Sequence, residues 1–530
     1  MSLPSPTAEL AERYCAAGAW QARVVHELVA AAAAPDPAKD AVCDATRRLS
    51  YAELLQQGNA LTAFLLEAGV GDGDCVAVQS GNTVELAVAH VACSRAGATF
   101  VPLSSSWRRT ELRELLTVSR ASVLLVPAAD GHDYLAEVEP LRRALPKLQL
   151  AGSFDGRGDL DLPAVLARDA PPVARPGDPN LPRYTMASSG TTNVPKLSLW
   201  TDNNLWAFCR AWCDAVELAP GDRMAGIAPA GTGAIGYVYG VLFPLLVGAT
   251  SILLEHWEPA AALALVERER ATAVTAVPTQ LVKMIQEPSA ATADLSDLRL
   301  VTNAGAPMPP DAAAAIEETW GCRIQTVYGA TDGGVPLMTR VDDPPEKRRT
   351  TVGRVLPLTD FVLADPELEP VAAGTPGEIL WRGPTKSYGY LNDDARTAEV
   401  FHDGFYRSGD LGLMDEDGYV RIVGRVKDMI LRGGQNISPR EIEEVVARHP
   451  SVAEAVAVGV PDPVYGERVC VAAVLRPGAA LDLAGLGAFL AEQRLAPFKV
   501  PERLELFDEL PRNASGKTSK DDVRRLVLER

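Results

Sequence analysis

Nine consecutive residues, Ser188-Ser189-Gly190-Thr191-Thr192-Asn193-Val194-Pro195-Lys196, collect four hydroxyls, a glycine and a lysine directly after residues 184–187, which read as a strand. Hydroxyls and free backbone N–H groups donate to phosphate oxygens, glycine admits close approach, and lysine adds a point charge. On composition alone the segment fits a polyphosphate cradle or an ordinary solvated loop. Ser515-Gly516-Lys517-Thr518 imitates the tail of a Walker loop. The full motif needs a glycine where Pro511 stands, and the residues after Thr518 begin Ser519-Lys520-Asp521-Asp522 instead of an apolar helix, so a Walker-type triphosphatase is set aside. Cys209 and Cys213 have no nearby His or Cys to complete a zinc set, and the eight cysteines show no framework spacing. Reduced thiols are the expectation.

Positioning such loops takes a large scaffold, and 530 residues supply one; at about 100–200 residues per domain this length suggests two to four folding units. With 47% hydrophobic and 23% charged residues the composition is that of a folded globular chain. From residue 44 onward, apolar runs of strand length alternate with amphipathic helical stretches, the pattern of parallel strands with helical crossovers. Ser50-Tyr51-Ala52-Glu53 is a capping box that predicts a helix to about Glu67. Strands are expected at 76–78 and 123–126 and a helix at 84–96. Pro- and Gly-rich residues 151–183 read as a surface connection. After residue 427 the elements shorten. Ser438-Pro439-Arg440-Glu441 reads as a second capping box opening a helix to about Arg448, followed by strands near 452–460 and 469–475, a helix near 484–494 and a strand near 502–507.

The net charge is −18, which repels a phosphate backbone and argues against nucleic acid as a partner. The acidity lies in residues 1–426, with 36 basic against 53 acidic side chains; residues 427–530 hold 15 against 16. Glu9 and Glu12 occupy the stretch where an export signal would be basic and then apolar, so a cytoplasmic location is expected. Residues 233–254 carry no formal charge and are long enough to cross a bilayer, but four glycines and Pro244 interrupt them. A buried helix followed by a buried strand is expected there, and no membrane span.

Seven segments occur in a characteristic order: SSGTTNVPK at 188–196, NAGAP at 303–307, YGATD at 328–332, GEI at 377–379, YRSGD at 406–410, GRVKDMI at 424–430 and LPRNASGK at 510–517. Over nearly the whole chain they resemble the acyl-adenylate-forming superfamily, which includes acyl- and aryl-CoA synthetases, adenylation domains of peptide synthetases and beetle luciferases. The resemblance implies an α/β fold: a large multi-layer N-terminal domain, 1–426, with mixed and parallel sheets, and a small mobile α+β C-terminal domain, 427–530, with a hinge at Lys427. It also implies a reaction in two halves. A carboxylate attacks the α-phosphate of ATP to give acyl-adenylate and pyrophosphate, and a thiol then displaces AMP. By resemblance Ser188, Ser189, Gly190, Thr191, Thr192 and Lys196 hold the β- and γ-phosphates, with Asn193 where the family has a second glycine. Gly305, Ala306 and Pro307 sandwich the adenine with Tyr328, beside Gly329. Asp410 accepts from the ribose hydroxyls, and Arg425 contacts ribose or phosphate. Thr331 and Asp332 match a Thr-Glu pair whose glutamate helps hold Mg2+; the shorter Asp332 leaves open whether coordination is direct or through water. Lys517 reaches the carboxylate and α-phosphate during adenylation, offsetting the repulsion of two anions. Gly433 and Gly434 leave a path for a phosphopantetheine arm.

The acid pocket is implied to include Gly231, Thr232, Gly233, Gly236 and Gly334. The segment Pro229–Gly236 offers no carboxylate, so an amino-acid ammonium would be left unpaired unless Asp332 served. Its small residues either hollow a pocket for an aryl or bulky alicyclic acid or only permit tight helix packing. The resemblance as a whole implies an ATP- and Mg2+-dependent acid–thiol ligase whose partners are a carboxylic acid and CoA. Loading of a carrier-protein phosphopantetheine and a non-catalytic nucleotide binder are the alternatives.

Overall fold

The computed structural model describes residues 6–128, 131–188, 196–231, 234–432, 435–512 and 518–530. The chain forms two compact units: residues through Phe361 together with Trp381–Tyr406, and Val362–Leu380 together with Arg407–Arg530. The single boundary expected at 426/427 thus differs from the division into compact units, which is discontinuous in sequence. One cause is the antiparallel pairing of Asp410–Met414 with Val420–Arg425, which keeps these residues together in the smaller unit.

The larger unit is built on two sheets. A six-stranded sheet runs Leu150–Ser153, Val123–Val126, Cys75–Ser80, Thr99–Ser104, Pro182–Ser188 and Lys196–Thr201, parallel except for the last, antiparallel pair. A nine-stranded sheet has a parallel centre: Arg323–Ala330, Leu300–Ala304, Ala273–Ala276, Arg223–Gly226, Thr250–Leu253 and Asp40–Cys43. These strands are buried on both faces, which is why they read as continuous apolar runs. The capping box at Ser50 and Glu53 forms, with Glu53 N–H donating to Ser50 Oγ at 3.2 Å and Ser50 N–H to Glu53 Oε2 at 2.8 Å, and the helix spans Tyr51–Glu67. The expected elements at 76–78, 84–96 and 123–126 are Cys75–Ser80, Glu85–Ala96 and Val123–Val126. The connection 151–183 holds the end of one strand and a short helix, Leu162–Leu166, before an exposed run. The uncharged stretch resolves into buried helical turns through Val247 and the strand Thr250–Leu253, and no described helix is long and apolar enough to cross a membrane.

In the smaller unit Val452–Asp462 and Gly466–Leu475 form a long antiparallel hairpin, with Arg503–Leu506 added in parallel. Period-2 alternation divides its core. Ala457, Val469 and Val471 pack with the helices Pro439–Val446 and Leu483–Glu492, while Val456, Val458 and Val460 face Val523 and Val527 of Lys520–Glu529. The second capping box does not form: Ser438 makes no cap bond and its hydroxyl donates to Val423 O instead.

One buried ion cluster sets the base of the strand Arg323–Ala330, which carries site residues. Glu317 Oε1 accepts from Ile324 N at 3.0 Å and Arg348 Nη2 at 2.7 Å, and Oε2 accepts from Arg349 Nε at 2.6 Å. Burial pushes the Glu317 pKa up, but the bonds from Arg348, Ile324 and Arg349 outweigh it and leave the carboxyl below its ordinary value. Glu317→Gln, which leaves two guanidinium groups without their anion, is expected to destabilise the protein by about 3 kcal/mol at neutral pH. A depressed carboxyl stabilises the fold above the ordinary glutamate range and loses that contribution as pH falls through the folded value. The gap between wild type and variant in chemical denaturation therefore closes on acidification; a gap independent of pH would contradict the assignment.

Candidate active site

The strand order of the larger sheet reverses between Arg223–Gly226 and Ala273–Ala276: the chain leaves the first toward Thr250–Leu253 and the second toward Leu300–Ala304. Such a switch point opens a crevice at the carboxyl ends of the strands. The segment emerging there is fixed from two sides. Asn82, buried in the loop after Cys75–Ser80, donates to Gly226 O at 3.2 Å and Ala228 O at 2.9 Å and accepts from Ala230 N at 2.7 Å. Gln280 Nε2 donates to Ile227 O at 3.0 Å. Gly231 and Gly236 do not open space. A Cβ on Gly231 would stand 2.4 Å from Ser104 Cα, and one on Gly236 would stand 2.1 Å from Pro229 O. Their missing side chains serve backbone packing, the second of the two expectations. Thr232 and Gly233 lie outside the described residues.

Behind this segment is an aromatic group that the sequence did not announce. His90, alone among the aliphatic residues of Glu85–Ala96, stacks on Phe100 at 4.6 Å and Tyr184 at 5.4 Å, and its Nδ1 meets the Tyr237 hydroxyl at 2.8 Å. Burial pulls the imidazole down to about 3, so it is neutral. The rings tie Tyr184, in the strand Pro182–Ser188, to Tyr237, which closes the helical turn Ala234–Tyr237.

Parallel pairing of Ala304 with Val327 puts Gly305, Ala306 and Pro307 next to Tyr328 at the carboxyl ends of adjacent strands. Gly305 is exposed at φ +84°, with no described atom within 4 Å of where a Cβ would stand. Tyr328 is half-buried, its ring edge-on to Trp381 at 6.3 Å. Gly329 is hemmed in: a Cβ there would be 2.4 Å from Gly334 O.

Arg323–Ala330 turns back into Gly334–Met338 through Thr331-Asp332-Gly333, and side chains bond the carbonyls of this turn almost in sequence. Ser198 Oγ donates to Thr331 O at 2.8 Å, Ser387 Oγ to Asp332 O at 2.5 Å, Trp381 Nε1 to Gly333 O at 3.1 Å and Thr385 Oγ1 to Val335 O at 2.7 Å. Gly334 has φ +95°, and a Cβ there would fall 2.2 Å from Thr385 O, so only glycine fits. The Asp332 carboxylate accepts from the hydroxyls of Tyr390 and Tyr406. Lys196, the first residue of the strand Lys196–Thr201, holds its ammonium 5.0 Å from the Tyr390 ring centroid. The structure therefore brings together Lys196, Thr331, Asp332 and Gly334. Ser188 ends the preceding strand, and Ser189, Gly190, Thr191 and Thr192 lie outside the described residues. Lys386 is an unforeseen neighbour: its ammonium lies 4.5 Å from the Phe401 ring and 5.0 Å from Tyr388, and burial lowers it to about 7.

In the smaller unit Asp410 lies opposite Arg425 across the strand pair, and Arg425 Nε donates to Asp410 Oδ1 at 2.7 Å. Glu378 steadies the approach, accepting from Gly409 N at 3.2 Å and Arg407 Nη2 at 2.7 Å. Lys427 sits in the turn Val426–Asp428, 3.4 Å from Asp521. Arg432 and Arg440 are each engaged with a carboxylate, Glu502 and Glu444. Gly433, Gly434 and Lys517 lie outside the described residues.

Among the described residues no three His, Cys, Asp or Glu side chains cluster as a metal cage. A single carboxylate beside a lysine and hydroxyls suits Mg2+, which binds through one or two carboxylates, substrate phosphates and waters. Gly305 at positive φ, in register beside Tyr328, likewise suits the close approach of a flat base.

An adenylate-forming class of protein is what the fold and this site define. The AMP-binding enzyme family model matches residues 29–391, and the AMP-binding enzyme C-terminal domain model matches residues 441–517. The chain is 34% identical to 2-hydroxy-7-methoxy-5-methyl-1-naphthoate–CoA ligase of Streptomyces carzinostaticus, over 97% of this chain and 95% of that one. It is 34% identical to salicyl-AMP ligase / salicyl-S-ArCP synthetase of Mycobacterium tuberculosis, over 98% and 93%. Among solved structures, ATP-bound MatB from Rhodopseudomonas palustris superposes with a TM-score of 0.86 at 28% identity, over 94% of this chain and 98% of that one. The chain belongs to the AMP-binding enzyme family, and its enzymatic class is that of the AMP-forming carboxylic acid–thiol ligases.

Two substitutions separate the roles of the braced turn. Ser198→Ala removes the donor to Thr331 O and leaves buried Trp200 Nε1 without its acceptor, at a cost of about 2 kcal/mol. The fold should survive, with acid-dependent ATP–pyrophosphate exchange reduced roughly tenfold, since 1.4 kcal/mol of misplacement corresponds to that factor. Gly334→Ala should lower both melting temperature and exchange drastically. Equal behaviour of the two variants would contradict this division.

Proposed function

We propose that the chain activates an aryl or other ring-bearing carboxylic acid as its acyl-adenylate and transfers the acyl group to CoA. The observation that carries the reading is the braced turn 331–335, which holds Asp332 against Tyr390, over whose ring the Lys196 ammonium lies, at the carboxyl end of the strand that also carries Tyr328. In this reading Ser188, Ser189, Gly190, Thr191, Thr192 and Lys196 hold the β- and γ-phosphates. Gly305, Ala306, Pro307, Tyr328 and Gly329 frame the adenine, Asp410 and Arg425 serve the ribose, and Thr331 and Asp332 serve the cation. Mg2+, when bound, neutralises phosphate charge as pyrophosphate departs. Lys517 offsets the repulsion between the carboxylate and the α-phosphate, most strongly in the transition state. The small domain then turns about Lys427 and presents Gly433 and Gly434 to the thiol. A ring-bearing acid is supported by the uncharged lining Pro229–Gly236, with Gly334, and by the relatives named for a naphthoate, for indoleacetate (35% identical) and for ferulate (36% identical).

A carrier-protein thiol as acceptor is the second reading, favoured by 34% identity over 98% of this chain to a relative named salicyl-S-ArCP synthetase. Incubation with ATP, Mg2+, CoA and a pool of aryl, alicyclic, fatty and amino acids, read by mass spectrometry, decides between them. Acyl-CoA of a ring-bearing acid is expected. Adenylate without acyl-CoA would favour the carrier protein, and neither product would favour a binder without turnover. Lys517→Ala should lower adenylate formation on the order of 100- to 1000-fold while thiol transfer from supplied acyl-adenylate stays within a few fold. Equal loss in both halves would contradict the role of Lys517.

A further inference from the structure

Both oxygens of the Asp332 carboxylate are met by tyrosines from distant parts of the chain. The Tyr406 hydroxyl donates to Oδ1 at 2.8 Å and the Tyr390 hydroxyl donates to Oδ2. Both phenols are buried, and each is held in place by its backbone or ring. Residues 388–391 run along the edge strand Lys196–Thr201, with Leu199 N donating to Gly389 O at 2.8 Å, Leu391 N to Leu197 O at 2.8 Å, and Tyr390 opposite Ser198. The Tyr406 ring packs on Trp381 at 4.7 Å and fills the place of a Cβ on Gly333, which would stand 2.3 Å from it. The face of Tyr390 also lies 5.0 Å from the Lys196 ammonium. One phenol thus touches both the group proposed to serve the cation and the lysine proposed to serve the polyphosphate.

We propose that Tyr390 and Tyr406 are positioning residues that orient the Asp332 carboxylate for a divalent cation, with the Tyr390 ring also holding the Lys196 ammonium. The inference rests on the reading of Asp332 as a cation ligand, directly or through water. Each carboxylate oxygen accepts one phenolic hydrogen and keeps a lone pair for the cation or its waters. A short aspartate held at both oxygens has one orientation, whereas an unheld one samples several rotamers and must be ordered when the cation arrives. Loss of such an outer-shell partner typically costs about 10- to 100-fold in metal affinity. Tyrosine-to-phenylalanine changes isolate the hydroxyl, because the ring over Lys196 and the packing on Trp381 remain.

The test measures ATP binding to the full-length protein by equilibrium dialysis, without acid substrate, with and without saturating Mg2+. The readout is the factor by which Mg2+ tightens ATP binding. Tyr390→Phe and Tyr406→Phe are each expected to shrink that factor about tenfold, leaving the Mg2+-free ATP affinity within twofold of wild type. Asp332→Asn should shrink it at least as much, and Tyr390→Phe added to Asp332→Asn should do nothing further. Two results would overturn the positioning role while sparing Asp332: a full Mg2+ effect in both phenylalanine variants when Asp332→Asn has lost it, or a Tyr390→Phe effect that persists undiminished beside Asp332→Asn. An unchanged factor in Asp332→Asn would remove the cation role of Asp332 itself, and the proposal with it.

Discussion

A tight turn at the end of a parallel strand leaves carbonyls that no ladder can satisfy, and a buried unpaired carbonyl costs about 1–3 kcal/mol. In this protein the carbonyls of Thr331, Asp332, Gly333 and Val335 each accept from a side chain, supplied by Ser198, Ser387, Trp381 and Thr385. Two of the surrounding features follow from that constraint. Residues 381–390 must lie against the turn, and the edge strand Lys196–Thr201 must carry a hydroxyl at position 198 facing it. The same constraint fixes the backbone at Asp332, and the hydroxyls of Tyr390 and Tyr406 then hold its carboxylate. Among the described residues, the groups that hold the carboxylate belong to the larger unit, and the smaller unit holds a separate pair, Asp410 with Arg425, beside Gly409 whose N–H donates to Glu378.

The backbone beyond the strand Arg223–Gly226 is organised differently. It depends on close backbone approach, with Gly231 against Ser104 and Gly236 against Pro229, and on a buried asparagine, Asn82, that bonds three main-chain groups. A neutral His90 clamped between aromatic rings sits behind it. Pro229–Gly236 carries no ionisable side chain.

Most local elements were legible because local rules govern them. Ser50 and Glu53 are three apart and close their box regardless of what the rest of the chain does. The apolar runs of the sheet centres carry their own signature, and so does the alternation in Val452–Asp462. At Ser438 the same local pattern failed, since its hydroxyl had a competing acceptor, Val423 O, 15 residues away. Roles for Asp332 and Lys196 were read from the order of motifs along the chain, but none was read for Tyr390, or for Tyr406 at the head of YRSGD, which lie 58 and 74 residues from the carboxylate they touch. Asn82, more than 140 residues from its partners, is the same case. Glycines at 231 and 236 were ambiguous by composition, because a missing Cβ can make room for a ligand or for another backbone, and only the packing distinguishes the two.

An isotope-transfer measurement tests the central claim, adenylation through attack on the α-phosphate, most directly. The protein is incubated with ATP, Mg2+, CoA and an accepted acid labelled with 18O in both carboxyl oxygens, and the products are weighed by mass spectrometry. Attack of the carboxylate on the α-phosphorus makes the bridging oxygen one from the acid, and thiol attack at the carbonyl breaks the carbon–oxygen bond, so AMP should leave with one 18O and the thioester should keep the other. Label in inorganic phosphate, with ADP as the nucleotide product, would mean an acyl phosphate and would contradict the account.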